Sequence, residues 1–389
     1  MLKREIEEVL KRYAAQFKAV VITGPRQSGK TTLAKMVFPD KEYVSLESPD
    51  YRALALRDPR RFLDQYPSGC ILDEAQRAPE LFSYLQERLD GTNQSGQFII
   101  TGSQQFGMMR EISQSLAGRV GLLSLMPFSQ EELKRGGYSW SSVDEMLFTG
   151  SYPPVYDQKI DVVPWMDAYI DTYVERDVRQ LINIRDLNRF DRFIRLCAGN
   201  IGQLFNASRL GTDCGINHGT VSNWLSILET SYITFQLRPH YRNYRKRLVK
   251  TPKTYFWDTG LACRLLGIEK PEQLALHPSR GHLFENWVVV ELLKARYNAG
   301  KNNNLFFWRN NIGLEVDIII ERADKLTPVE IKSGSTISPS WFNSIEKWID
   351  LAGKDVEDAY LVYGGTKSFT QNSLSILSYM DIKSINQTK

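Results

Sequence analysis

One glycine-rich stretch near the start of the 389-residue chain decides the fold. It reads Gly24-Pro25-Arg26-Gln27-Ser28-Gly29-Lys30-Thr31-Thr32. An apolar run at 19–22 precedes it and a mostly apolar run at 33–38 follows it, which predicts strand, loop and helix in that order. Glycines in such a loop let backbone N–H groups close around an anion, and the helix start adds its positive dipole end. The stretch matches the G-x-x-x-x-G-K-[ST] pattern and predicts a phosphate-binding loop.

Two side chains of this loop carry the expected chemistry. Lys30 is predicted to reach the β- and γ-phosphates, and the Thr31 hydroxyl is predicted to ligate Mg²⁺. All nine residues from Gly24 to Thr32 are predicted to contact the nucleotide, with ATP and Mg²⁺ as cofactors. The alternative is a glycine-rich turn that matches by chance, and the flanking strand and helix argue against it.

A second acidic motif follows at Cys70-Ile71-Leu72-Asp73-Glu74. The apolar residues predict a buried strand, and open α/β sheets bind ligands at the carboxyl ends of their strands. Asp73 is therefore predicted to hold Mg²⁺, and Glu74 to orient or deprotonate the attacking water. The alternative is an acidic turn after a core strand.

The predicted strand 97–102 ends in polar residues. A hydroxyl at the end of a buried strand, beside the γ-phosphate, would sense hydrolysis. Ser103 or Thr101 is predicted for this role. The alternative is ordinary turn chemistry.

Arg119 lies just before the last predicted strand of this region. A guanidinium there is predicted to stabilise transition-state charge as an arginine finger, in cis or from a neighbouring subunit. The alternative is a structural arginine that pairs with a carboxylate.

Strands and helices alternate from about residue 18 to 130, which predicts a parallel sheet. An amphipathic helix is predicted at 1–17. The predicted strands are 18–23, 43–47, 69–73, 97–102 and 121–126.

Residues 18–130 resemble the AAA-type P-loop ATPases of prokaryotes. The resemblance is carried by the P-loop and by the runs Leu72-Asp73-Glu74-Ala75-Gln76, Ile100-Thr101-Gly102-Ser103 and Leu116-Ala117-Gly118-Arg119-Val120. The remainder resembles the C-terminal domain of unknown function that accompanies such ATPases. The resemblance implies ATP binding and does not settle the substrate.

Residues 201–275 predict a winged-helix-like domain: a short helix near 206–210, a turn at 211–216, a helix capped by Asn217 or His218, and a two-strand wing at 233–238 and 253–257. No acidic residue occurs between Glu229 and Asp258. The predicted DNA contacts between the two strands are Arg242, Arg245, Lys246 and Arg247. Basic side chains interleaved with tyrosines suit a phosphate backbone. The alternatives are a solvated hairpin, a contact with the chain's own ATPase domain, and a protein-binding module.

Residues 276–389 predict a restriction-endonuclease-like α/β domain. Glu285 falls near the start of a predicted helix, Asp317 on a predicted strand, and Glu330 and Lys332 on the next strand. This resembles the Asp…Glu-x-Lys arrangement, in which carboxylates bind Mg²⁺ and the lysine orients water or stabilises phosphate charge. The alternatives are a half-exposed hairpin and a nuclease-like fold that binds without cleaving.

Composition excludes several classes. A net charge of +4, 42% hydrophobic residues and 24% charged residues are ordinary for a globular protein. The four cysteines form no C-x-x-C pair, and no apolar run approaches the roughly 20 residues of a membrane span. The start of the chain is charged and lacks an apolar h-region, so no secretory signal is expected. A cytoplasmic protein with no membrane partner is predicted, and its oligomeric state is left open.

The predicted α/β chain thus has four parts: a P-loop AAA-type ATPase domain (1–130), a helical lid or linker (131–200), a winged-helix-like domain (201–275) and a nuclease-like domain (276–389). The predicted function is Mg²⁺-dependent ATP hydrolysis coupled to nucleic-acid binding or processing. The alternative is a nucleotide-gated switch or scaffold whose inert nuclease-like domain binds a protein partner.

Overall fold

The computed structural model describes residues 2–102, 112–178, 186–240, 249–371 and 374–387. Its strands are β1 Ala19–Thr23, β2 Tyr43–Ser45, β3 Ile71–Asp73, β4 Phe98–Thr101, β5 Val120–Ser124, β6 Thr234–Leu237, β7 Lys253–Phe256, β8 Leu305–Arg309, β9 Glu315–Arg322, β10 Lys325–Lys332, β11 Tyr360–Tyr363, β12 Phe369–Gln371 and β13 Leu374–Ser378. Its α-helices are α1 Glu7–Gln16, α2 Lys30–Val37, α3 Pro49–Arg57, α4 Pro59–Asp64, α5 Leu81–Asp90, α6 Gln130–Arg135, α7 Val143–Thr149, α8 Pro153–Asp157, α9 Val162–Tyr169, α10 Leu187–Gly199, α11 Ala207–Cys214, α12 His218–Thr230, α13 Thr259–Leu265, α14 Arg280–Asn298, α15 Asn343–Ala352 and α16 Ser384–Gln387. A π-helical segment, Ile170–Val178, continues α9.

The first sheet has the order β2-β3-β4-β1-β5, and all of its strand pairs are parallel. The predicted parallel sheet is confirmed. The strands are shorter than predicted, and the first helix begins at Glu7 rather than at the start of the chain.

Central strand β1 is buried along its whole length because helices cover both faces of the sheet. On one face Val20 and Ile22 pack with Leu10 of α1 and Leu33 of α2. On the other face Val21 belongs to a core built mainly from α4 and α5. A run of apolar residues without alternation is what such a doubly covered parallel strand requires.

The middle of the chain is mostly helical and ends in the antiparallel hairpin β6–β7. Asn217 caps α12 by accepting a hydrogen bond from the Thr220 N–H, as predicted. The predicted turn from Gly211 is wrong in extent, because α11 runs to Cys214 and ends at Gly215, whose φ is +66°. The helices and hairpin predicted here are present, and the winged-helix assignment stays a prediction.

The C-terminal sheet is mixed, with the order β12-β13-β11-β10-β9-β8. β8, β9 and β10 are antiparallel, and β10 pairs parallel with β11 after the crossover through α15. One hydrophobic core extends from Met126 to Ile385 and joins the middle helices, the hairpin, α14 and this sheet. The predicted boundaries at 130, 200 and 275 stay predictions.

Two further sequence expectations concern the whole chain. The four cysteines are buried and unpaired, as the absence of a C-x-x-C pair suggested. Within the described ranges, every helix is too short or too polar to cross a lipid bilayer.

Candidate nucleotide site and acidic site

The strand order brings the predicted nucleotide-binding segments together. β3, β4 and β1 are neighbours, and their carboxyl ends lie at one edge of the sheet. The loop after β1 turns at Gly24, where φ is +141° and a Cβ would clash with the backbone oxygen of Leu125. α2 begins at Lys30 after Gly29, whose φ is +92°. This loop therefore needs glycine at both positions, as the motif requires.

Lys30 and Ser28 face inward from this loop. Lys30 is 6% exposed, and its Nζ donates to the carbonyl oxygens of Gly24 at 3.0 Å and Pro25 at 2.7 Å. Burial lowers the pKa of Lys30 to about 8, although the nearby charges of Glu74 and Asp73 act to raise it. The buried Ser28 Oγ has no hydrogen-bond partner among the described residues. A buried ammonium held by carbonyls beside an unsatisfied hydroxyl fits a phosphate group.

Asp73 forms the other half of the site, at the end of β3. Both of its carboxylate oxygens accept from Thr31 Oγ1, at 2.9 and 3.0 Å, and Thr101 Oγ1 also donates to Oδ1. A hydroxyl and a carboxylate are hard oxygen ligands of the kind Mg²⁺ prefers, so Thr31 and Asp73 fit the predicted ion. Thr101, one of the two predicted sensors, is thus placed at Asp73.

Sequence reasoning missed Tyr43, whose hydroxyl donates to Asp73 Oδ2 at 2.8 Å. Burial and the Asp73 contact raise the pKa of Tyr43 to about 12, so the hydroxyl remains a donor. The β2–β3 register pairs Tyr43 with Ile71 and Ser45 with Asp73, which puts Tyr43 on the Asp73 face of the sheet. Only the pairing of two strands reveals this contact.

Glu74 adopts an unusual backbone conformation. Its φ of +53° and ψ of +45° lie in the left-handed region, and its carboxylate accepts from Gln76 Nε2. A non-glycine residue there costs on the order of 1 kcal/mol, and such outliers cluster at functional sites. The turn places Glu74 close enough to Lys30 to influence its pKa.

A cavity of about 330 Å³ adjoins the loop at Gln27, Gly29 and Thr32. Its apolar lining is Leu2, Leu33, Met36, Phe128, Pro153 and Pro154. Arg4, which sequence reasoning also missed, lines the same cavity and is hydrogen-bonded to the loop. Its Nη1 donates to the Ser28 carbonyl at 2.8 Å, and its Nε pairs with buried Glu132 at 3.0 Å. Together with the polar side chains of Arg4, Asp157 and Gln158, this lining is typical of a small-molecule site next to the phosphate loop.

The middle of the chain contacts the first part of the loop and the strand end before it. The Tyr232 hydroxyl donates to Thr23 Oγ1 at 2.9 Å, immediately before the loop. The Arg26 guanidinium lies 5.7 Å from the ring centroid of Tyr173, whose hydroxyl donates to the Ser231 carbonyl at 3.0 Å. Of the residues that follow α12, Tyr232 thus contacts the strand end before the loop, and Ser231 is linked to Arg26 of the loop through Tyr173.

The structure corrects the prediction for Arg119 in cis. β5 runs parallel to β1 with Val120 beside Ala19, so Arg119 lies at the amino edge of the sheet, opposite the phosphate loop. Its guanidinium pairs with Asp90, with Nε 2.6 Å from Oδ1 and Nη2 2.9 Å from Oδ2. The prediction that Arg119 acts as an arginine finger on the nucleotide of its own subunit is therefore wrong. A role at the nucleotide of a neighbouring subunit stays a prediction.

Several predicted residues lie outside the described part of the chain. They are Ser103, Arg242, Arg245, Lys246 and Arg247. Their predicted roles as hydrolysis sensor and DNA contacts stay predictions.

The four residues of the predicted nuclease-like site are brought together. Lys332 Nζ lies 2.6 Å from Glu330 Oε1 on β10. Asp317 on β9 accepts from the Ile331 N–H at 2.8 Å through Oδ2. Glu285 approaches from α14, and its charge acts on both Asp317 and Glu330.

Lys253, from β7 of the hairpin, enters this cluster from outside the C-terminal domain. Its Nζ lies 2.8 Å from Glu285 Oε1 and 2.6 Å from Glu315 Oε1, and the side chain is 3% exposed. The Tyr255 hydroxyl donates to the same Glu285 oxygen at 2.6 Å. We call this cluster of Lys253, Glu285, Glu315, Asp317, Glu330 and Lys332 the acidic site. Sequence reasoning missed Lys253 because it is remote in sequence from its partners.

The charges of the acidic site shift one another's titration. Burial acts to raise the pKa of Glu285, but Lys253 and hydrogen bonds to the carboxylate lower it to about 2. Burial also acts against the charge of Lys253, but Glu285 and Glu315 raise its pKa well above the usual value. Burial and neighbouring carboxylates raise the pKa of Asp317 to about 6 and that of Glu330 to about 8. Asp317 and Glu330 together therefore keep a proton near neutral pH even beside Lys332.

This arrangement does not fit the divalent ion that a nuclease-like site implies. The Lys253 ammonium occupies the space between Glu285 and Glu315. Across the described ranges, histidine, cysteine, aspartate and glutamate side chains form no group of three or more that could hold a metal ion.

Comparisons with known proteins agree with the nucleotide-site geometry. An AAA domain matches residues 16–134, and two domains of unknown function, DUF8612 and DUF4143, match residues 141–272 and 280–382. An uncharacterized protein of Mycobacterium tuberculosis is 31% identical over 341 residues, covering 87% of this chain and 75% of that protein. An uncharacterized protein of Haemophilus influenzae is 26% identical over 251 residues, covering 60% of this chain and 58% of that protein.

The Walker-type ATPase of Pyrococcus abyssi is a structural relative with a TM-score of 0.45 and 14% identity, covering 67% of this chain and 94% of that chain. This structural likeness is partial, and the family assignment rests on the sequence relatives. The chain belongs to the same family as the uncharacterized mycobacterial protein, with an AAA P-loop domain followed by DUF8612 and DUF4143 domains.

Proposed function

We propose that this protein binds ATP with Mg²⁺ and hydrolyses it to ADP and phosphate. The observation that carries the proposal is the convergence at one sheet edge of the buried Lys30 ammonium, the unsatisfied Ser28 hydroxyl and the Thr31–Asp73 pair. These groups supply a cation and a donor for phosphate oxygens and hard ligands for the metal.

Each residue has a distinct role in the proposed reaction. Lys30 exchanges the carbonyls of Gly24 and Pro25 for phosphate oxygens, which lets it keep its charge while buried. Thr31 and Asp73 hold Mg²⁺, which neutralises charge that develops on the phosphates. Glu74 orients the attacking water and accepts its proton. The apolar cavity beside Arg4 receives the base.

Thr101 and Tyr43 position the metal ligand. Both hydroxyls donate to Asp73, so its carboxylate has a fixed orientation before nucleotide arrives. Such preorganisation reduces the reorganisation that metal binding would otherwise require.

We further propose that nucleotide state is coupled to the middle and C-terminal domains. The contacts Tyr232–Thr23 and Arg26–Tyr173 support this, because rearrangement of the loop around phosphate would disturb both. In the first version the coupled output is nucleic-acid binding or processing through the predicted basic segment. In the second the protein is a switch or scaffold, a version favoured by an acidic site whose charges are already paired.

Phosphate release from ATP tests the hydrolysis proposal. Glu74→Gln is expected to bind nucleotide normally but to lower turnover roughly 100-fold or more, since only the base is lost. Lys30→Ala is expected to lose nucleotide affinity as well. Turnover of Glu74→Gln equal to that of the wild type would remove Glu74 from the mechanism.

Mixing two inactive variants tests the role of Arg119 in trans. If Arg119 completes a neighbour's site, Arg119→Ala lowers turnover, and adding Glu74→Gln protein restores part of it through mixed interfaces. Unaltered turnover in Arg119→Ala alone would leave Arg119 as a structural partner of Asp90.

Adding DNA to the phosphate-release assay distinguishes nucleic-acid processing from a switch or scaffold role. Stimulated ATP turnover, or cleavage that depends on ATP, supports nucleic-acid processing. The absence of DNA binding even at low salt favours the switch or scaffold, because phosphate contacts are strongest there.

A further inference from the structure

The centre of the acidic site holds an ammonium group that comes from another part of the fold. Lys253 Nζ contacts one carboxylate oxygen each of Glu285 and Glu315, at 2.8 and 2.6 Å. A divalent cation would use such carboxylate oxygens as ligands. Lys253 therefore stands where an ion would have to bind.

Glu330 and Glu315 have further cationic partners. Lys332 lies 2.6 Å from Glu330, and Arg309 Nη1 lies 2.9 Å from the second oxygen of Glu315. With Lys253 in place, each of these carboxyl groups already has a cationic neighbour. Little net negative charge remains to attract a divalent ion from solvent.

One oxygen of the cluster is left without a partner. Glu330 Oε2 is buried and accepts no hydrogen bond from the described residues, and the Glu330 side chain is only 5% exposed. This oxygen is a coordination position that the present pairing leaves unused.

The hairpin that carries Lys253 is docked on β8, the edge strand of the C-terminal sheet. The His240 N–H donates to the Phe307 carbonyl at 2.7 Å, and the Phe307 N–H donates to the Arg238 carbonyl at 3.1 Å. Four residues before Lys253, the Val249 N–H donates to the Arg309 carbonyl at 3.1 Å. Backbone hydrogen bonds therefore join Arg238, His240 and Val249 to β8.

From this geometry we propose that Lys253 is an ionic latch that closes the acidic site to divalent cations by taking their place. Without this ammonium, the oxygens of Glu285, Glu315, Asp317 and Glu330 are available to Mg²⁺ or Mn²⁺. The latch goes beyond the proposed ATP hydrolysis and does not depend on it, because no part of it touches the phosphate loop.

Mn²⁺ titration of the full-length chain by calorimetry, without nucleotide, tests the latch. Lys253→Met is expected to bind Mn²⁺ roughly a hundredfold more tightly than the wild type, because a unit charge close to the ion is removed in a site of low effective dielectric. Lys250→Met is the matched control: it removes an exposed lysine three residues earlier and is expected to behave as the wild type. Adding Asp317→Asn to Lys253→Met should abolish the gained binding.

If Lys253→Met folds poorly, comparing Mn²⁺ binding by the wild type and by Asp317→Asn still tests the proposal. The Mn²⁺ titrations of the wild type and of Asp317→Asn should be indistinguishable, since the latched site takes no ion. Wild-type binding that Asp317→Asn removes would overturn the proposal. So would a folded Lys253→Met protein, checked by circular dichroism, that binds Mn²⁺ no better than the wild type.

Discussion

Two buried lysines in this molecule have opposite partners. Lys30 donates to two backbone carbonyls in the phosphate loop, and burial lowers its pKa to about 8. Lys253 lies between two carboxylates, which raise its pKa well above the usual value despite burial. The side chain of Lys253 is 3% exposed and residue Lys30 6%, so burial alone does not distinguish them.

The difference shows that the partners of a buried lysine indicate whether its site is prepared to bind a ligand. An ammonium whose hydrogen bonds all go to backbone carbonyls gains most from an added anion, so the loop around Lys30 is prepared for phosphate. An ammonium that already neutralises carboxylates gains nothing from an anion and excludes a cation. One site is therefore built to receive a ligand, and the other contains its counter-ion within the chain.

Removing each lysine should have opposite effects on stability. Lys253→Met leaves the Glu285 carboxylate without its lysine partner and Glu315 with Arg309 alone, and is expected to lower the free energy of unfolding by about 3 kcal/mol. Lys30→Met removes a buried charge that has no carboxylate partner within hydrogen-bond distance, so without nucleotide it should be neutral or stabilising. Chemical denaturation at pH 7 measures both values. Equal destabilisation by the two variants would contradict the comparison.

Ligands should stabilise only the phosphate-loop site. MgATP at about 100 times its dissociation constant is expected to raise the stability of the wild type by about 2.7 kcal/mol. The same concentration should not stabilise Lys30→Met, and Mn²⁺ without nucleotide should stabilise neither protein. Thermal unfolding monitored by fluorescence measures the shifts. Removing Mg²⁺ with EDTA should weaken the effect of ATP and stop hydrolysis.

The lowered pKa of Lys30 predicts a pH dependence of ATP binding. Bound phosphate favours the charged amine and raises its pKa, so binding takes up a proton wherever free Lys30 is neutral, above pH 8. The affinity should be constant below pH 8 and fall up to about tenfold per pH unit above it. Lys30→Arg, which stays charged, serves as the control and should lack this decline if it binds. Titration calorimetry in buffers of different ionisation enthalpy measures the proton uptake, and its absence at pH 9 would contradict the assigned pKa.

The smallest effect is expected where the middle domain meets the loop. Tyr232→Phe removes only the hydroxyl that donates to Thr23 and should lower stability by about 0.5–1.5 kcal/mol. If that contact transmits nucleotide state, the variant should also show a reduced difference in proteolysis between free and MgATP-bound protein. An unchanged difference would limit the contact to a packing role.

Local motifs allowed much of the nucleotide site to be predicted from the sequence. The loop from Gly24 to Thr32 and the Asp73–Glu74 pair are each contiguous, and their flanking apolar runs specify the strands that hold them. Arg119 shows where the reasoning failed. A residue that precedes a parallel strand lies at the amino edge of the sheet, so its position before β5 already argued against contact with phosphate in its own subunit.

The remaining contacts depend on packing between distant segments. Tyr43 reaches Asp73 only because β2 pairs with β3 in one register, and Arg4 reaches the loop from a segment outside the sheet. Lys253 was predicted as part of a wing strand, and nothing near it in sequence indicates that it ends between Glu285 and Glu315. Such placements follow from tertiary structure, which periodicity and composition do not encode.

Competitive chemical labelling of lysine amines, read by mass spectrometry at pH 8, tests the contrast between the two lysines most directly. About half of the Lys30 amine is neutral at this pH, compared with well under about 1% for an ordinary lysine. We therefore predict labelling of Lys30 in free protein and strong protection by MgATP. Lys253 should stay unlabelled with or without nucleotide, while exposed Lys250 reacts in both. Labelling of Lys253 at the rate of Lys250, or labelling of Lys30 that MgATP does not change, would contradict the account.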